Sequence, residues 1–189
     1  MKMNLKRFYN RPVVVDASVL FDFYELNSLH ILNLVFSELH IPLELMAEIT
    51  GDKQLSEIKR QVDYKEVFIE TAEAYELFVK LGQTRKQLSV YDRHLICTAY
   101  EKGFLCASND KLVARVCAEF KIDNPRTLGI LGCAFLFEVI DQHELEKLFF
   151  LLVSEACSCH LTLNDAASRE FAKMFNINIA AGQKNKIKE

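Results

Sequence analysis

The sequence predicts an α/β protein, a three-layer α/β/α sandwich around a mostly parallel central sheet. Two observations support this prediction. Short apolar runs rich in β-branched residues alternate with longer segments of helical periodicity, a pattern typical of parallel sheets with helices on both faces. Half of the 189 residues are hydrophobic, so the chain can bury the core that such a fold needs.

The first predicted strand is Val13–Val15, a β-branched run that suits a strand buried on both faces. Asp16 stands where this strand ends, and Ser18 is placed to cap the helix that follows. Helical periodicity then covers Leu26–Val35, and His40–Pro42 is expected to form a second short strand. Asp16 is therefore the first polar residue at the carboxyl end of a central strand.

The next part of the chain is predicted to contain three helices and a third strand. The predicted elements are helices at 43–50, 53–62 and 71–81 and a strand at Val67–Ile69. We expect Gly51 and Gly82 to end the first and the last of these helices, because glycine is common just after a helix.

The stretch Leu88–Leu112 predicts an apolar helix, a tight turn, a short buried strand and the start of a second helix. Asp92 lies on the first helix, and Asp110 lies just past the strand. Sites in open α/β sheets gather beyond the carboxyl ends of the strands. We therefore expect the functional site to include both acids.

Three further helices are predicted after this stretch, and the last is capped by Asn164 or Asp165. The apolar helix Leu145–Val153 either covers the core or forms a dimer face. We expect residues 1–179 to form a single domain with a helical C-terminal extension, and residues 180–189 to form a flexible polar tail.

The formal net charge of −3 gives no global basic field, although a local basic patch would suffice for a nucleic acid. Six cysteines are present without a C-x-x-C pair, and Cys157-Ser158-Cys159 is the closest approach to one. The thiols are therefore expected to be free in a reducing cytosol, and a zinc site is not expected. With neither a secretory signal nor an apolar run of about 20 residues, we expect a cytoplasmic protein without membrane contact.

Four acids follow strands or stand on helices next to strands. They are Asp16, Glu48, Asp92 and Asp110. Each also has an ordinary structural explanation. The acids that follow strands could cap the next helices, and Asp92 fits a capping box with Ser89. Glu48 could be a solvated helical residue, and Glu44 is its rival on nearly the same helix face.

Parallel strands would bring the four carboxylates to one edge of the sheet, where they would repel one another strongly. A hard divalent cation is the usual remedy, and Mg²⁺ and Mn²⁺ both prefer oxygen ligands. Such a site could activate water and stabilise the charge that builds on a phosphate during in-line displacement. The acids thus predict Mg²⁺ or Mn²⁺ as the cofactor.

Four segments, VVVDASVL, IPLELMAEI, LSVYDRHLICTA and LCASNDKLV, follow the order and rough spacing of PIN-domain ribonucleases. From Val13 to about His143 the chain resembles this family, which includes the toxins of VapBC-type toxin–antitoxin pairs. The segment RTLGILGCAFLFEVI resembles a prokaryotic PIN subgroup of unknown role. The C-terminal extension makes this chain longer than a typical toxin of the family.

The resemblance implies metal-dependent cleavage of RNA in the cytoplasm, a homodimer and, for a toxin, an antitoxin partner. Carried over position by position, the catalytic and metal-binding acids are Asp16, Glu48, Asp92 and Asp110. Ser18 and Ser108 match small hydroxyl residues beside the first and last acids, and Asn109 matches a polar position between them. Arg93 stands where the family more often has a small residue.

Five basic residues near the acids are candidate phosphate contacts. They are Arg85, Lys86, Arg93, Lys111 and Arg115. Each could equally be an ordinary solvated surface residue. If they line the cleft, their contribution to binding should depend on salt and be largely independent of base sequence.

Two other functions compete with the ribonuclease. A haloacid-dehalogenase-type phosphatase also begins with an acid after its first strand, but it needs a second acid two residues later, where this chain has Ser18. A PIN scaffold without activity could instead bind protein or nucleic acid. Retention of four like charges at one edge argues against that module, because an inactive site has no physical reason to keep them.

Overall fold

The structure is a computed structural model that describes residues 4–48, 51–155, 157–159 and 161–179. At positions 47, 48 and 52 it describes the backbone without the side chain. The strands are β1 (Pro12–Val15), β2 (Glu38–Pro42), β3 (Tyr64–Val67) and β4 (Leu105–Ala107). The helices are a 3-10 helix (Leu5–Phe8), α1 (Ala17–Glu25), α2 (His30–Val35), α3 (Leu43–Glu48), α4 (Asp52–Gln61), α5 (Ala72–Thr84), α6 (Val90–Lys102), α7 (Lys111–Glu119), α8 (Thr127–Leu136), α9 (Gln142–Leu152) and α10 (Ala166–Met174).

The four strands form one parallel sheet in the order β3-β2-β1-β4. β1 lies between two neighbours, in agreement with its β-branched sequence. Its pairing with β4 sets Val15 opposite Ala107. Because both strands run in the same direction, the residues that follow them, Asp16 and Ser108, emerge side by side.

Successive residues of β1 point to opposite faces of the sheet, and each face is covered by helices. Val13 and Val15 belong to a core that includes buried residues of α1, α2, α8, α9 and α10. Val14 belongs to a second core built with α5, α6 and α7. This arrangement confirms the predicted α/β/α sandwich with a parallel sheet.

Several boundaries differ from those predicted. The helix predicted over Leu26–Val35 begins at His30, and Gly51 stands at the N-cap of α4. The third strand is Tyr64–Val67 and not Val67–Ile69, because parallel pairing sets Tyr64 against Leu39 and ends with Val67 opposite Pro42. Gly82 does not end α5, which continues to Thr84. A Cβ at this glycine would meet the guanidinium of Arg93 on α6, which is the end of a flexible side chain and can move aside.

The C-terminal helices complete the core on one face of the sheet. The buried side of α9 comprises Leu145, Leu148, Phe149 and Leu152, so its apolar face covers the core of its own chain. The polar tail predicted over residues 180–189 lies outside the described residues. None of the helices in the described part of the chain is long and apolar enough to span a membrane.

Two glycines of α8 should respond in opposite ways to alanine. A Cβ at Gly132 would lie 2.6 Å from Leu5 Cδ1 and 2.9 Å from two ring carbons of Phe175, whereas at Gly129 the nearest atom would be 3.6 Å away. Gly132→Ala should lower the free energy of unfolding by about 1–3 kcal/mol through overpacking. Gly129→Ala should raise it by about 0.5–1 kcal/mol, because alanine favours the helix.

Urea denaturation of both variants against the wild type provides the measurement. Equal stability of the two variants would show that the contact of the 3-10 helix and Phe175 with α8 is loose.

Candidate functional site

Asp16 is the centre of the candidate site. Its backbone N–H donates to Ala107 O over 2.9 Å, which extends the β1–β4 pairing past the end of the strands. Its Oδ2 accepts hydrogen bonds from Ser18 Oγ at 2.6 Å and Ser108 Oγ at 2.9 Å. Ser18 therefore orients Asp16 and does not cap a later helix start, because α1 already begins at Ala17.

The environment of Asp16 opposes its negative charge. Burial raises the pKa of this carboxyl, the two serine hydroxyls lower it in part, and the negative charge of Asp92 raises it further. The fold thus places two of the predicted acids near enough to influence each other's charge. A cation at this position would relieve both the burial cost and the repulsion.

Asp92 lies in the first turn of α6, where it completes the predicted capping box. Ser89 N donates to Asp92 Oδ2 at 2.8 Å, and Asp92 N donates to Ser89 Oγ at 3.0 Å. The structure therefore confirms that Asp92 caps α6, and this role does not exclude a second one in metal binding. Capping and proximity to Asp16 coexist in the same side chain.

Asp110 has a similar structural role at the start of α7. Its Oδ1 accepts from Leu112 N at 2.6 Å and from Val113 N at 2.8 Å. Its own N–H donates to Ser108 Oγ at 3.2 Å, and the same hydroxyl donates to Asp16. Ser108 thus connects the backbone of one acid to the carboxylate of another.

The described acids do not form a compact set of ligands. Among the described side chains, Asp16, Asp92 and Asp110 do not form a group whose oxygens all lie within 4.8 Å of one another. Mg²⁺ usually keeps several waters and contacts one or two carboxylates directly, so wider spacing is compatible with it. The carboxylate oxygens, and a negative charge on Asp16 that burial and Asp92 disfavour, therefore fit Mg²⁺ or Mn²⁺.

The fourth predicted acid, Glu48, is the last residue of α3, and its side chain lies outside the described part of the structure. Its rival Glu44 is described. Glu44 Oε2 lies 3.8 Å from His94 Nδ1 on α6, and each of these two buried atoms lacks a hydrogen-bond partner among the described residues. Glu44 is therefore directed at His94 in this structure.

Asp22 is an acid of the site region that the sequence analysis did not select. It is 6% exposed, and its Oδ2 accepts from Thr127 Oγ1 at 2.6 Å and from Asn109 Nδ2 at 2.9 Å. Burial raises the pKa of Asp22, and these two donors lower it in part. One signal was available in the sequence, since Asp22 stands inside the apolar run Leu20–Tyr24 of an amphipathic helix.

The turn after α7 holds the loop that carries Asn109 and Asp110 through hydrogen bonds to its backbone. Asn124 Nδ2 donates to Cys106 O at 2.6 Å and to Ser108 O at 3.3 Å, and Arg126 donates to Asn109 O. Asn109 also donates its N–H to Ser18 Oγ at 3.3 Å. The predicted supporting residues thus form a single hydrogen-bonded framework around Asp16.

Three of the five candidate phosphate contacts meet in one cavity. This cavity of about 530 Å³ lies between the end of α5, the loop leading to α6, and α7. Its basic residues are Arg85, Lys86 and Arg115. Arg85 also pairs with Glu119 over 2.9 Å.

The other two basic residues are placed differently. The Arg93 guanidinium carbon lies 4.6 Å from the centre of the Phe78 ring, and Arg93 Nε donates to Ser89 O at 3.2 Å. Lys111 is exposed, and its charge lowers the pKa of Asp165, after the backbone and hydroxyl of Thr162. As placed, Arg93 joins α6 to α5, and Lys111 faces the C-terminal extension.

A family model described as a PIN domain matches residues 12–159, which include all four strands and every predicted acid. The chain belongs to the PIN-domain family. No sequence among curated proteins matches the chain. In this PIN domain the matched region ends at Cys159, so α10 lies beyond it.

In the PIN domain, the charge of Asp16 should destabilise the metal-free fold. A raised pKa means that the folded state holds the proton more tightly than the unfolded chain, so stability falls as pH rises from about 4 through the raised pKa. Asp16→Asn should therefore equal the wild type near pH 4 and exceed it at neutral pH. Each unit by which the pKa is raised corresponds to about 1.4 kcal/mol.

Urea denaturation across pH in the presence of a chelator measures this difference, and Asp63→Asn, at an exposed position, serves as the control. If Asp16→Asn were less stable than the wild type at neutral pH, the carboxylate would be stabilising the fold and the argument from burial and repulsion would fail.

Proposed function

We propose that this PIN-domain protein is a Mg²⁺- or Mn²⁺-dependent endoribonuclease that hydrolyses RNA phosphodiester bonds. The observation that carries the proposal is Asp16, a partly buried carboxylate held by two serine hydroxyls with Asp92 close enough to raise its pKa further. Such an arrangement is costly for a protein that binds nothing there. A bound cation offsets that cost, and membership of the PIN family supports nuclease chemistry at this edge.

The proposed ligands are Asp16, Glu48, Asp92 and Asp110. When bound, a divalent ion stabilises charge on a phosphate and lowers the pKa of a nearby water. Ser18 and Ser108 fix the Asp16 carboxylate, and Asn109 fixes the loop that leads to Asp110. In Asp92 and Asp110 the described capping bonds all end on one carboxylate oxygen, so each residue would keep its second oxygen to hold an ion.

The cavity with Arg85, Lys86 and Arg115 is the proposed path of the RNA backbone. It lies beside the loop that leads to Asp92 and beside the helix that Asp110 caps. Its lining is basic and polar, which suits phosphate contacts that position a strand without reading its bases. Arg93 and Lys111 have weaker claims because each already faces another part of the protein.

A homodimer, and an antitoxin if the enzyme is a toxin, are the proposed protein partners. Tyr75 and Val79, one turn apart on α5, are exposed at 61% and 42% and offer an apolar contact for a second copy. Light scattering at micromolar concentration tests the dimer, and a monomer would exclude it. Co-purification with the product of an adjoining small gene tests the antitoxin.

A catalytically inactive PIN scaffold is the second candidate, and the capping bonds favour it. Asp92 and Asp110 each stabilise a helix start, so each has a structural reason to be an acid without any ion. Asp16 occupies the cap position of α1, but its side chain makes no capping bond there and accepts instead from the hydroxyls of Ser18 and Ser108. The two functions therefore predict different effects when a carboxylate is replaced by an amide. The nuclease should lose activity, whereas the inactive scaffold should keep its binding.

Ser89→Ala and Asp92→Asn should separate capping from catalysis. Ser89→Ala removes the hydroxyl that caps α6 and should cost about 0.5–2 kcal/mol of stability while most Mn²⁺-dependent cleavage remains. Asp92→Asn keeps an oxygen that can accept from Ser89 N, so its melting temperature should change little. Its cleavage rate should fall by about 100-fold or more, as expected when an electrostatic contact to the transition state is lost.

Cleavage is measured on a panel of RNAs with Mg²⁺, Mn²⁺ or chelator, and Mn²⁺ binding by calorimetry. Asp16→Asn/Asp110→Asn should lose both binding and cleavage. Activity that survives in Asp92→Asn but is lost in Ser89→Ala would refute the assignment of Asp92. A wild-type protein that binds RNA without cleaving any member of the panel would favour the inactive scaffold.

The basic cavity predicts salt-dependent RNA binding. Lys86→Ala/Arg115→Ala should weaken the affinity for a single-stranded RNA in chelator and reduce the slope of log K against log salt by about 0.7 for each lost phosphate contact. Fluorescence anisotropy at several salt concentrations measures both quantities. Lys147→Ala, at an exposed position of α9, is the control, and an equal loss in the control would remove the cavity from the RNA path.

A further inference from the structure

A second group of potential metal ligands contains none of the four acids. Asp22 of α1, Cys157 and Cys159 each offer one ligand atom, and these atoms all lie within 4.8 Å of one another. The two thiols lie in the segment between α9 and α10, whereas the carboxylate lies near the start of the chain. The fold therefore supplies a third ligand that the spacing of the cysteines does not reveal.

The segment that carries the thiols is fixed against α1. Ser158 donates its N–H to Glu25 Oε2 at 2.7 Å and its hydroxyl to Glu25 Oε1 at 2.6 Å. Glu25 stands three residues after Asp22, so both acids lie on the same side of the helix. This double hydrogen bond holds Ser158, the residue between the two cysteines, against α1.

Asp22 itself is held in place from its other side. Thr127 and Asn109 both donate to its Oδ2, and the residue is almost fully buried. A preorganised carboxylate beside two thiols is a mixed oxygen and sulfur donor set. Sulfur ligands select zinc and other soft or borderline ions over Mg²⁺ and Mn²⁺, so this group differs in chemistry from the acids around Asp16.

The thiols are protonated in the absence of an ion. Burial raises the pKa of Cys157 to about 12, and hydrogen bonding to Glu25 contributes to the rise. Burial also raises the pKa of Cys159, whose thiol donates to Leu152 O at 3.3 Å. Zinc binding would release one proton from each thiol to the solvent, as thiolate ligation requires.

We propose that Asp22, Cys157 and Cys159 form a zinc site that fastens the segment after α9 to α1. Bonds of about 2.3 Å to sulfur place two tetrahedral ligands about 3.8 Å apart, which is compatible with ligand atoms that all lie within 4.8 Å of one another. Water occupies the fourth position. Through Asp22, the ion also braces Asn109 and therefore the loop that leads to Asp110.

The test uses reduced, metal-stripped full-length protein titrated with Co²⁺ and then with Zn²⁺. Cobalt reports thiolate ligation through a sulfur-to-cobalt charge-transfer band, which carboxylates around Asp16 cannot produce. We expect one equivalent of Co²⁺ with this band and loss of the band when Zn²⁺ replaces it. Zn²⁺ alone should raise the melting temperature of the wild type.

Three variants distinguish the ligands from their surroundings. Cys157→Ser/Cys159→Ser should lose the band and the thermal shift, and Asp22→Asn should weaken Co²⁺ binding at least tenfold. Ser158→Ala keeps both thiols and should keep the band, which makes it the matched control for changes in this segment. Circular dichroism of each variant without metal verifies that it is folded.

Three results would overturn the proposal. The first is a reduced wild-type protein that gives no charge-transfer band. The second is a band that persists in Cys157→Ser/Cys159→Ser, which would place the thiolate ligands elsewhere. The third is an Asp22→Asn variant that is folded and binds Co²⁺ as tightly as the wild type, which would remove the carboxylate from the site.

Discussion

The parallel pairing of β1 with β4 is the constraint on which the candidate site depends. With Val15 opposite Ala107, the next residues of the two strands are Asp16 and Ser108, and their contact follows from the register. A shift of one residue would turn every side chain of β4 to the other face of the sheet and break this contact. The buried apolar residues of both strands hold the register, so the geometry of the site is determined by the hydrophobic core beneath it.

Hydrogen bonds among polar side chains at the carboxyl ends of β1 and β4 hold the residues of the site in place. Ser108 Oγ donates to Asp16 and accepts from Asp110 N, while Asn109 connects to Ser18, Thr127 and Asp22. Buried polar groups are stable only when they are hydrogen-bonded, and here the partners come from three separate parts of the chain. The residues around the acids are therefore positioned before any ligand arrives.

Much of this arrangement could be predicted from the sequence, because its strands and helices follow simple periodic patterns. The run Val13–Val15 predicted the central strand, and the alternation of elements predicted the parallel sheet and the position of Asp16 and Asp110 at its edge. The Ser89–Asp92 capping box was visible for a similar reason, since its bonds connect residues close in sequence.

Contacts between distant residues could not be predicted in this way. The bonds of Asp22 to Asn109 and Thr127 depend on how α1 packs against the turn before α8, and a single sequence carries no record of that packing. The end of α5 was also misplaced, since the helix continues past Gly82 to Thr84. Local sequence patterns predicted the strands and helices, whereas contacts between residues distant in sequence depend on tertiary packing and could not be predicted.

The capping bonds of Asp92 and Asp110 have an evolutionary consequence. A helix cap needs only an oxygen that accepts hydrogen bonds, so asparagine serves almost as well as aspartate. An ion site needs the full negative charge, which asparagine lacks. If the proposed ion site is present, one base change in a codon can abolish its charge while the helix start is kept, and a descendant of this protein can then lose the proposed activity and keep the fold. Among relatives, an asparagine at either position would mark a lineage whose domain has been retained for binding alone.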